Sequence, residues 1–214
     1  MNKNLKKLIS KIGAGKKILT IPVKVECYSK VLQCFDNVLL KINNDGGSVH
    51  YGWKIHKGPI VYEAERHAVW VSPNNEFIDI TPEYPSVPTT LFVSDNKFTY
   101  YGQHVDNIRI NITTNAIVDD FIFLNETISR LLQLSKRVDT NHVSVSEPVA
   151  KTIENLRGQS VMLEMFIYTG GRPDSLCFCR SSLVYKNCHG RYLRETATGL
   201  INEAEANKGT PIKC

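Results

Sequence analysis

Hydrophobic positions from Lys30 to Gly47 recur every three or four residues, a spacing typical of one face of an α-helix. The apolar positions are Val31, Cys34, Phe35, Val38, Leu39 and Ile42. Residues 43–47 are Asn, Asn, Asp, Gly and Gly, and a glycine there can adopt the left-handed conformation that ends many helices. The pattern predicts a helix from about Lys30 that carries Cys34 near its start.

Three segments rich in β-branched and aromatic residues come next and predict strands: SVHYGWKI, YEAERHAVWVS and EFIDIT. Gly58-Pro59 separates the first two, and Pro73-Asn74-Asn75 separates the last two. Connections this short favour antiparallel neighbours. We therefore expect His67 and Asp79 on adjacent strands.

The rest of the chain alternates helical and strand patterns. Further strands are predicted in KILTIPVKVECYS, LFVSD and NIRINIT, and further helices in residues 1–17, 120–134 and 147–168. The predicted fold class is α+β, with an antiparallel sheet flanked by helices over residues 1–170. After the break at residues 170–173, a small cysteine-rich module is expected over residues 171–199, followed by a polar tail over 200–214.

Charge and cysteine content indicate the cellular compartment and the kind of partner. The net charge is +5, and the first 30 positions contain eight lysines and one acidic residue. This composition is typical of a solvated basic tail or of a segment that contacts nucleic acid. The sequence contains no run of 18 apolar residues, so no membrane span is predicted. Lysines interrupt the apolar positions of the first 12 residues, which excludes a secretory signal. Six cysteines placed more like ligands or a nucleophile than a disulfide framework indicate a reducing compartment, so the prediction is a cytoplasmic protein without membrane contact.

Cys34, His67 and Asp79 have the chemistry of a thiol nucleophile with its base. A helix N-terminus and a neighbouring imidazole both stabilise a thiolate, and the imidazole needs an acceptor on its other nitrogen. His67 and Asp79 are 12 residues apart across one turn, which allows cross-strand contact. Gln33 precedes Cys34 and can donate to a developing oxyanion.

This order of residues resembles the core of the transglutaminase-like, papain-type cysteine hydrolases. Those proteins carry a cysteine on a helix, a histidine in an H-A-W strand and an aspartate in a D-x-T strand. HAVW at His67 and IDITP around Asp79 are similar to the two strand motifs. Over residues 30–82 the resemblance implies Cys34 as nucleophile, His67 as base and Asp79 as the residue that orients the imidazole.

Alternatives remain for these residues. A buried cysteine and a strand histidine are common in protein cores without any catalytic role. Cys27, seven residues before Cys34, is a rival nucleophile. Glu65 shares the strand face of His67 and can tune its charge.

A second candidate site lies near the C-terminus, where Cys177, Cys179, Cys188 and His189 form the pattern C-x-C-x8-C-H. Four such ligands within 13 residues suit tetrahedral zinc, and a site filled by protein has no open position for catalysis. A reduced cysteine cluster without metal is the alternative. The spacing is similar to the SEC-C motif, the zinc knuckle of the SecA translocase and of many bacterial proteins, and that resemblance implies a docking role.

Basic residues surround this cysteine segment: Arg180, Lys186, Arg191 and Arg194. They predict a surface that meets an acidic protein, a ribosome or nucleic acid. Two classes of function follow from the sequence. One is a zinc-containing thiol hydrolase or acyl transferase that acts on a protein or peptide, and the other is a non-catalytic adaptor that binds its partner through the zinc knuckle.

Overall fold

The computed structural model describes residues 2–15, 17–138 and 143–208, and the chain forms two compact units. The first comprises residues 1–101 and 105–110, and the second comprises residues 102–104 and 111–214. The division falls near residues 101–111, whereas the sequence placed it at residue 170, which lies within the second unit.

The elements follow one another with short connections. The first eight are α1 (Lys3–Ile12), β1 (Ile18–Pro22), α2 (Cys34–Asp45), β2 (Ser48–Lys57), β3 (Val61–Val71), β4 (Phe77–Ile78), β5 (Thr89–Ser94) and β6 (Ile108–Asn111). The others are α3 (Ile117–Leu134), β7 (Lys136–Arg137), β8 (Val143–Ser144), α4 (Glu147–Tyr168), a 3₁₀ helix (Tyr185–Asn187) and α5 (His189–Lys208).

A six-stranded sheet forms the centre of the first unit. Its strands lie in the order β1-β5-β2-β3-β4, and β6 also pairs with β3. The pairs β1–β5, β5–β2, β2–β3 and β3–β4 are antiparallel. The predicted α+β class, with an antiparallel sheet and helices, is confirmed.

The start of α2 differs from the prediction. The helix begins at Cys34 rather than near Lys30, because Leu32 has a left-handed backbone with φ of 62° and Gln33 has a non-helical one. Val31 therefore lies outside the helix, although its spacing fitted the helical pattern. The helix packs on the sheet through a buried apolar cluster of Cys34, Val38, Ala68, Trp70, Ile78 and Ile80.

The bounds of two other segments also differ from the prediction. The third predicted strand shortens to two residues, Phe77–Ile78, so Asp79 lies just beyond the end of β4. The expected polar tail from residue 200 is part of α5 as far as Lys208, and residues 209–214 lie outside the described part of the chain. Polar composition alone did not distinguish a surface helix from an irregular tail.

Gly52 lies opposite His67 in the β2–β3 pair, and its neighbours leave no room for a side chain. A Cβ there would overlap the Val93 carbonyl oxygen and the Phe92 ring. We expect Gly52→Ala to lower the free energy of unfolding by about 1–3 kcal/mol, measured by denaturant titration. Gly158→Ala is the control, because the added carbon in α4 would meet nothing within 4 Å apart from its chain neighbours and the adjacent backbone of the helix itself. The control should match the native protein or gain up to about 1 kcal/mol, and equal losses in both variants would contradict the packing argument.

Candidate active site and metal centre

Cys34 is the first residue of α2 and is 5% exposed. Its position places the thiol at the N-terminal end of the helix, where free backbone N–H groups and the helix dipole favour a negative charge. Stabilisation of a Cys34 thiolate by the helix requires this placement, and the helix start at Cys34 supplies it.

The side chain of Asn37 fixes the segment that leads into α2. Its amide nitrogen donates to the Lys30 carbonyl at 2.8 Å and to the Thr81 hydroxyl at 3.2 Å, and its oxygen accepts from the Lys30 N–H at 2.9 Å. Asn37 is itself buried. These bonds join the start of the helix to the residues that follow Asp79.

His67 in β3 and Asp79 after β4 lie side by side. The distance from His67 Nε2 to Asp79 Oδ1 is 3.0 Å, and both residues are buried. The backbone of Asp79 is held by two hydrogen bonds, one to the Pro22 carbonyl and one from the Lys24 N–H. Asp79 Oδ1 also accepts from the Thr81 N–H at 3.0 Å, so the carboxylate has a fixed orientation.

Lys54 is a member of this site that the sequence analysis did not identify. Its ammonium lies 2.9 Å from Asp79 Oδ2 and 2.8 Å from Glu83 Oε2, and only 2% of the residue is exposed. The signal was present in β2, where a lysine interrupts the apolar segment GWKI two residues after the glycine opposite His67. Asp79 therefore contacts two cationic side chains through two different oxygens.

The charges of the site determine its protonation states. Burial alone would lower the pKa of His67, but Cys34 and Asp79 raise it to about 10. Burial would raise the pKa of Asp79, but its contacts with His67 and Lys54 lower it to about 2. The pKa of Lys54 is raised, because Asp79 and Glu83 outweigh the effect of burial. His67 and Lys54 are therefore cationic and Asp79 anionic at neutral pH.

The contact of His67 with its neighbours is close but loosely aligned. Neither ring nitrogen has a hydrogen bond of regular geometry, although Nε2 is 3.0 Å from the carboxylate. Contacts of this kind are often long or poorly aligned in a site without substrate and tighten when it binds. Cys34 also packs with Ala68 and Trp70, which point away from the face of β3 that carries His67.

These shifts predict how stability varies with pH. The stabilisation from Asp79 is complete above its ordinary pKa of 3.8 and is lost as pH falls through about 2. The stabilisation from His67 is complete below 6.5 and is lost as pH rises through about 10. We expect the difference in unfolding free energy between the native protein and His67→Gln to be largest between these ordinary values and to shrink toward alkaline pH. Denaturant titrations at several pH values measure it, and a difference independent of pH would oppose this assignment.

The structure also gives the positions of three other residues that the sequence analysis named. Gln33 precedes α2 as its N-cap and makes no capping side-chain bond. Cys27 is exposed and free. The Glu65 carboxylate accepts a hydrogen bond from His56 Nε2 at 2.9 Å, and although burial acts to raise the pKa of Glu65, His56 and His67 lower it. The prediction that Glu65 tunes His67 stays a prediction, supported by the charge interaction between the two residues.

The four predicted metal ligands lie together in the second unit. The ligand atoms of Cys177, Cys179, Cys188 and His189 are all within 4.8 Å of one another. The Cys177 Sγ–His189 Nδ1 distance is 3.2 Å, and the Cys179 Sγ–Cys188 Sγ distance is 3.5 Å, too long for a disulfide. Tetrahedral zinc at normal bond lengths would separate two sulfurs by about 3.8 Å and a sulfur from a nitrogen by about 3.5 Å. The cluster therefore has the size and the donor set of a metal site.

Backbone geometry brings these ligands together. Leu176 and Val184 form an antiparallel bridge, and Arg180 and Ser182 have left-handed backbones that close the turn between them. Cys188 lies at the end of the 3₁₀ helix, and His189 begins α5. The segment is thus a tight turn followed by the long helix α5.

Two thiols of the cluster differ in their electrostatic environment. Burial raises the pKa of Cys177. Hydrogen bonds from Ser181 lower the pKa of Cys179, which is exposed, to about 6. The ready loss of the Cys179 proton favours metal binding, because zinc binds thiolates.

Aromatic contacts and a hydrogen bond hold the residues around the cluster in place. The ring of Phe178 lies 4.6 Å from the His189 ring, and the Tyr185 hydroxyl donates to Asp120 of α3 at 3.0 Å. A Cβ at Gly190 would overlap the Tyr185 ring. The cluster is therefore packed against the rest of the second unit.

The basic surface predicted around the cluster is partly neutralised. Lys186 pairs with Asp174, and Arg194 pairs with Asp120 at 2.9 Å. Arg191 stacks on the Tyr192 ring at 5.0 Å. An acidic partner would have to displace two ion pairs, so these four residues give less free positive charge than the sequence suggested.

Within the described ranges, no helix combines the length and hydrophobicity needed to cross a bilayer. Comparison of the chain with protein-family models, with curated proteins and with solved structures gives no match in any of the three.

Proposed function

We propose that the protein is a cysteine-dependent hydrolase or acyl transferase of the transglutaminase-like type. Cys34 is the nucleophile, His67 the base and Asp79 the residue that orients the imidazole. The observations that carry this proposal are the buried His67–Asp79 contact at 3.0 Å and the buried Cys34 at the N-terminus of α2, whose charge acts on His67.

The chemistry follows from this arrangement. His67 holds the proton taken from Cys34, and the thiolate attacks the carbonyl carbon of an amide or ester in a protein or peptide. The backbone N–H groups at the start of α2, together with Gln33, stabilise the oxyanion. The imidazolium gives its proton to the leaving amine or alcohol, and a thioester on Cys34 remains. Water or an amine then attacks the thioester and loses its proton to His67, and the acyl group leaves with it, which restores the Cys34 thiolate beside the His67 imidazolium.

We also propose that Cys177, Cys179, Cys188 and His189 bind one zinc ion in a SEC-C-like knuckle. Their donor set and mutual distances support this assignment. Because four protein ligands fill a tetrahedral site, the zinc is structural or supports docking and takes no part in the thiol chemistry. The five described cysteines are all free, which supports the cytoplasm as the compartment.

A non-catalytic adaptor is the second candidate, and one observation favours it. Cys34 belongs to the apolar cluster that joins α2 to the sheet, and only 5% of it is exposed. In that case the first unit is a scaffold, and the zinc knuckle recognises the partner.

Incubation with an activated ester, p-nitrophenyl acetate, separates the two candidates. The enzyme proposal predicts an acetyl adduct on Cys34, found by peptide mass spectrometry, and its loss in His67→Ala. Cys27→Ser should keep the adduct, because Cys27 is a free surface thiol outside the site. An adduct on Cys27 alone, or none on Cys34, would support the adaptor.

A further inference from the structure

Lys54 occupies a position in which a charged residue is costly. Moving an ammonium group out of water costs several kcal/mol unless opposite charges and hydrogen bonds compensate. Lys54 is 2% exposed, and the structure supplies two carboxylates, Asp79 at 2.9 Å and Glu83 at 2.8 Å. An apolar residue would fill the same place in β2 without this cost, so the charge itself calls for an explanation.

The two oxygens of Asp79 have different partners. Oδ1 faces His67 and the Thr81 N–H, while Oδ2 faces Lys54. Without Lys54, the carboxylate would lose the contact that holds Oδ2 and would keep its full negative charge beside His67 and Cys34. That charge would oppose a second negative charge on the Cys34 sulfur.

We propose that Lys54 is a positioning residue of the Cys34 site, which holds Asp79 Oδ2 and balances its charge so that Cys34 can become a thiolate beside His67. The inference rests on the proposed function. Glu83 has the opposite effect, because its carboxylate also pairs with the Lys54 ammonium and so reduces the net positive charge beside Asp79.

The charged groups around the site are contributed by four segments. The ionisable groups whose contacts or charges act on this network are Cys34 from α2, Lys54 and His56 from β2, Glu65 and His67 from β3, and Asp79 and Glu83 after β4. His56 contacts Glu65 at 2.9 Å and lies 4.0 Å from Glu83. Removing Lys54 leaves the carboxylates of Asp79 and Glu83 without their shared buried cation.

The rate of Cys34 alkylation by iodoacetamide as a function of pH tests the proposal. Lys54→Met should move the midpoint at which the rate rises to higher pH by about one unit or more. Lys54→Arg keeps the charge and should keep the native midpoint. Glu83→Gln is the variant to use if Lys54→Met does not fold, and it should move the midpoint to lower pH. Lys41→Met removes another lysine of the first unit, paired with Glu26 and Asp45, and should leave the midpoint unchanged.

The outcomes separate this inference from the proposed function. If the native midpoint depends on His67 but neither Lys54→Met nor Glu83→Gln moves it, the role of Lys54 is refuted and the thiol function stands. A purely structural lysine would reduce stability or the rate at every pH without moving the midpoint. If Cys34 of the native protein titrates like a free thiol, both proposals fail together.

Discussion

Replacing Asp79 with Ala should lower the free energy of unfolding by about 3–5 kcal/mol, the usual cost of removing one partner from a buried ion pair. Asp79 is completely buried, and its loss would leave Lys54 and His67 as neighbouring buried cations. Denaturant titration near neutral pH measures the change, because the pKa of Asp79 is lowered to about 2 and the carboxylate is ionised there.

Asp174→Ala is the control for this prediction. Asp174 also pairs with a lysine, Lys186, but both side chains are more than half exposed. Pairs of this kind contribute about 0–1 kcal/mol. A loss at Asp79 no larger than that at Asp174 would show that the buried charges do not stabilise the fold as described.

Substitution of Cys188 by Ser should release zinc and loosen the segment from residue 176 to the start of α5. Cys188 contacts the other ligands closely, with Cys179 Sγ at 3.5 Å and His189 Nδ1 at 3.5 Å. Binding of structural zinc supplies about 10–16 kcal/mol in zinc-finger peptides, so the local effect is expected to be large. Elemental analysis measures the zinc, and hydrogen exchange measures the loss of protection.

A chelator should have the same effect on the native protein. Cys179 is exposed, and a cavity of about 680 Å³ has Cys188 and His189 in its wall, which provides a path to the site. Cys27→Ser is the matched control and should retain about one zinc ion per chain. Native protein purified under reducing conditions without chelators and found free of metal would refute the zinc assignment.

Local patterns were sufficient to predict several parts of the structure. The β-branched and aromatic residues in the segments around Trp53 and His67 predicted two strands, and the short turn between them predicted an antiparallel pair. The ligand spacing of Cys177 and Cys188 predicted a cluster because a tight turn leaves few other arrangements. These features depend on residues close together in the sequence.

Other parts depended on tertiary contacts that no local pattern contains. The helix start at Cys34 is set by the left-handed backbone of Leu32 and by the bonds of Asn37 to Lys30 and Thr81. The role of Lys54 depends on Asp79, which lies 25 residues away in sequence. A lysine in a strand is usually exposed, so its burial could not be expected until its two carboxylate partners were located.

The rate of alkylation of Cys34 at about pH 6 tests the central claim most directly, because an ordinary thiol with a pKa near 8.5 is almost fully protonated there. Peptide mass spectrometry can follow Cys34 and Cys27 in the same sample, so Cys27 serves as an internal reference. If Cys34 forms a thiolate beside His67, it should react faster than Cys27, and His67→Ala should slow it by on the order of tenfold or more. Equal rates for Cys34 in the native protein and in His67→Ala, at or below the rate of Cys27, would contradict the account.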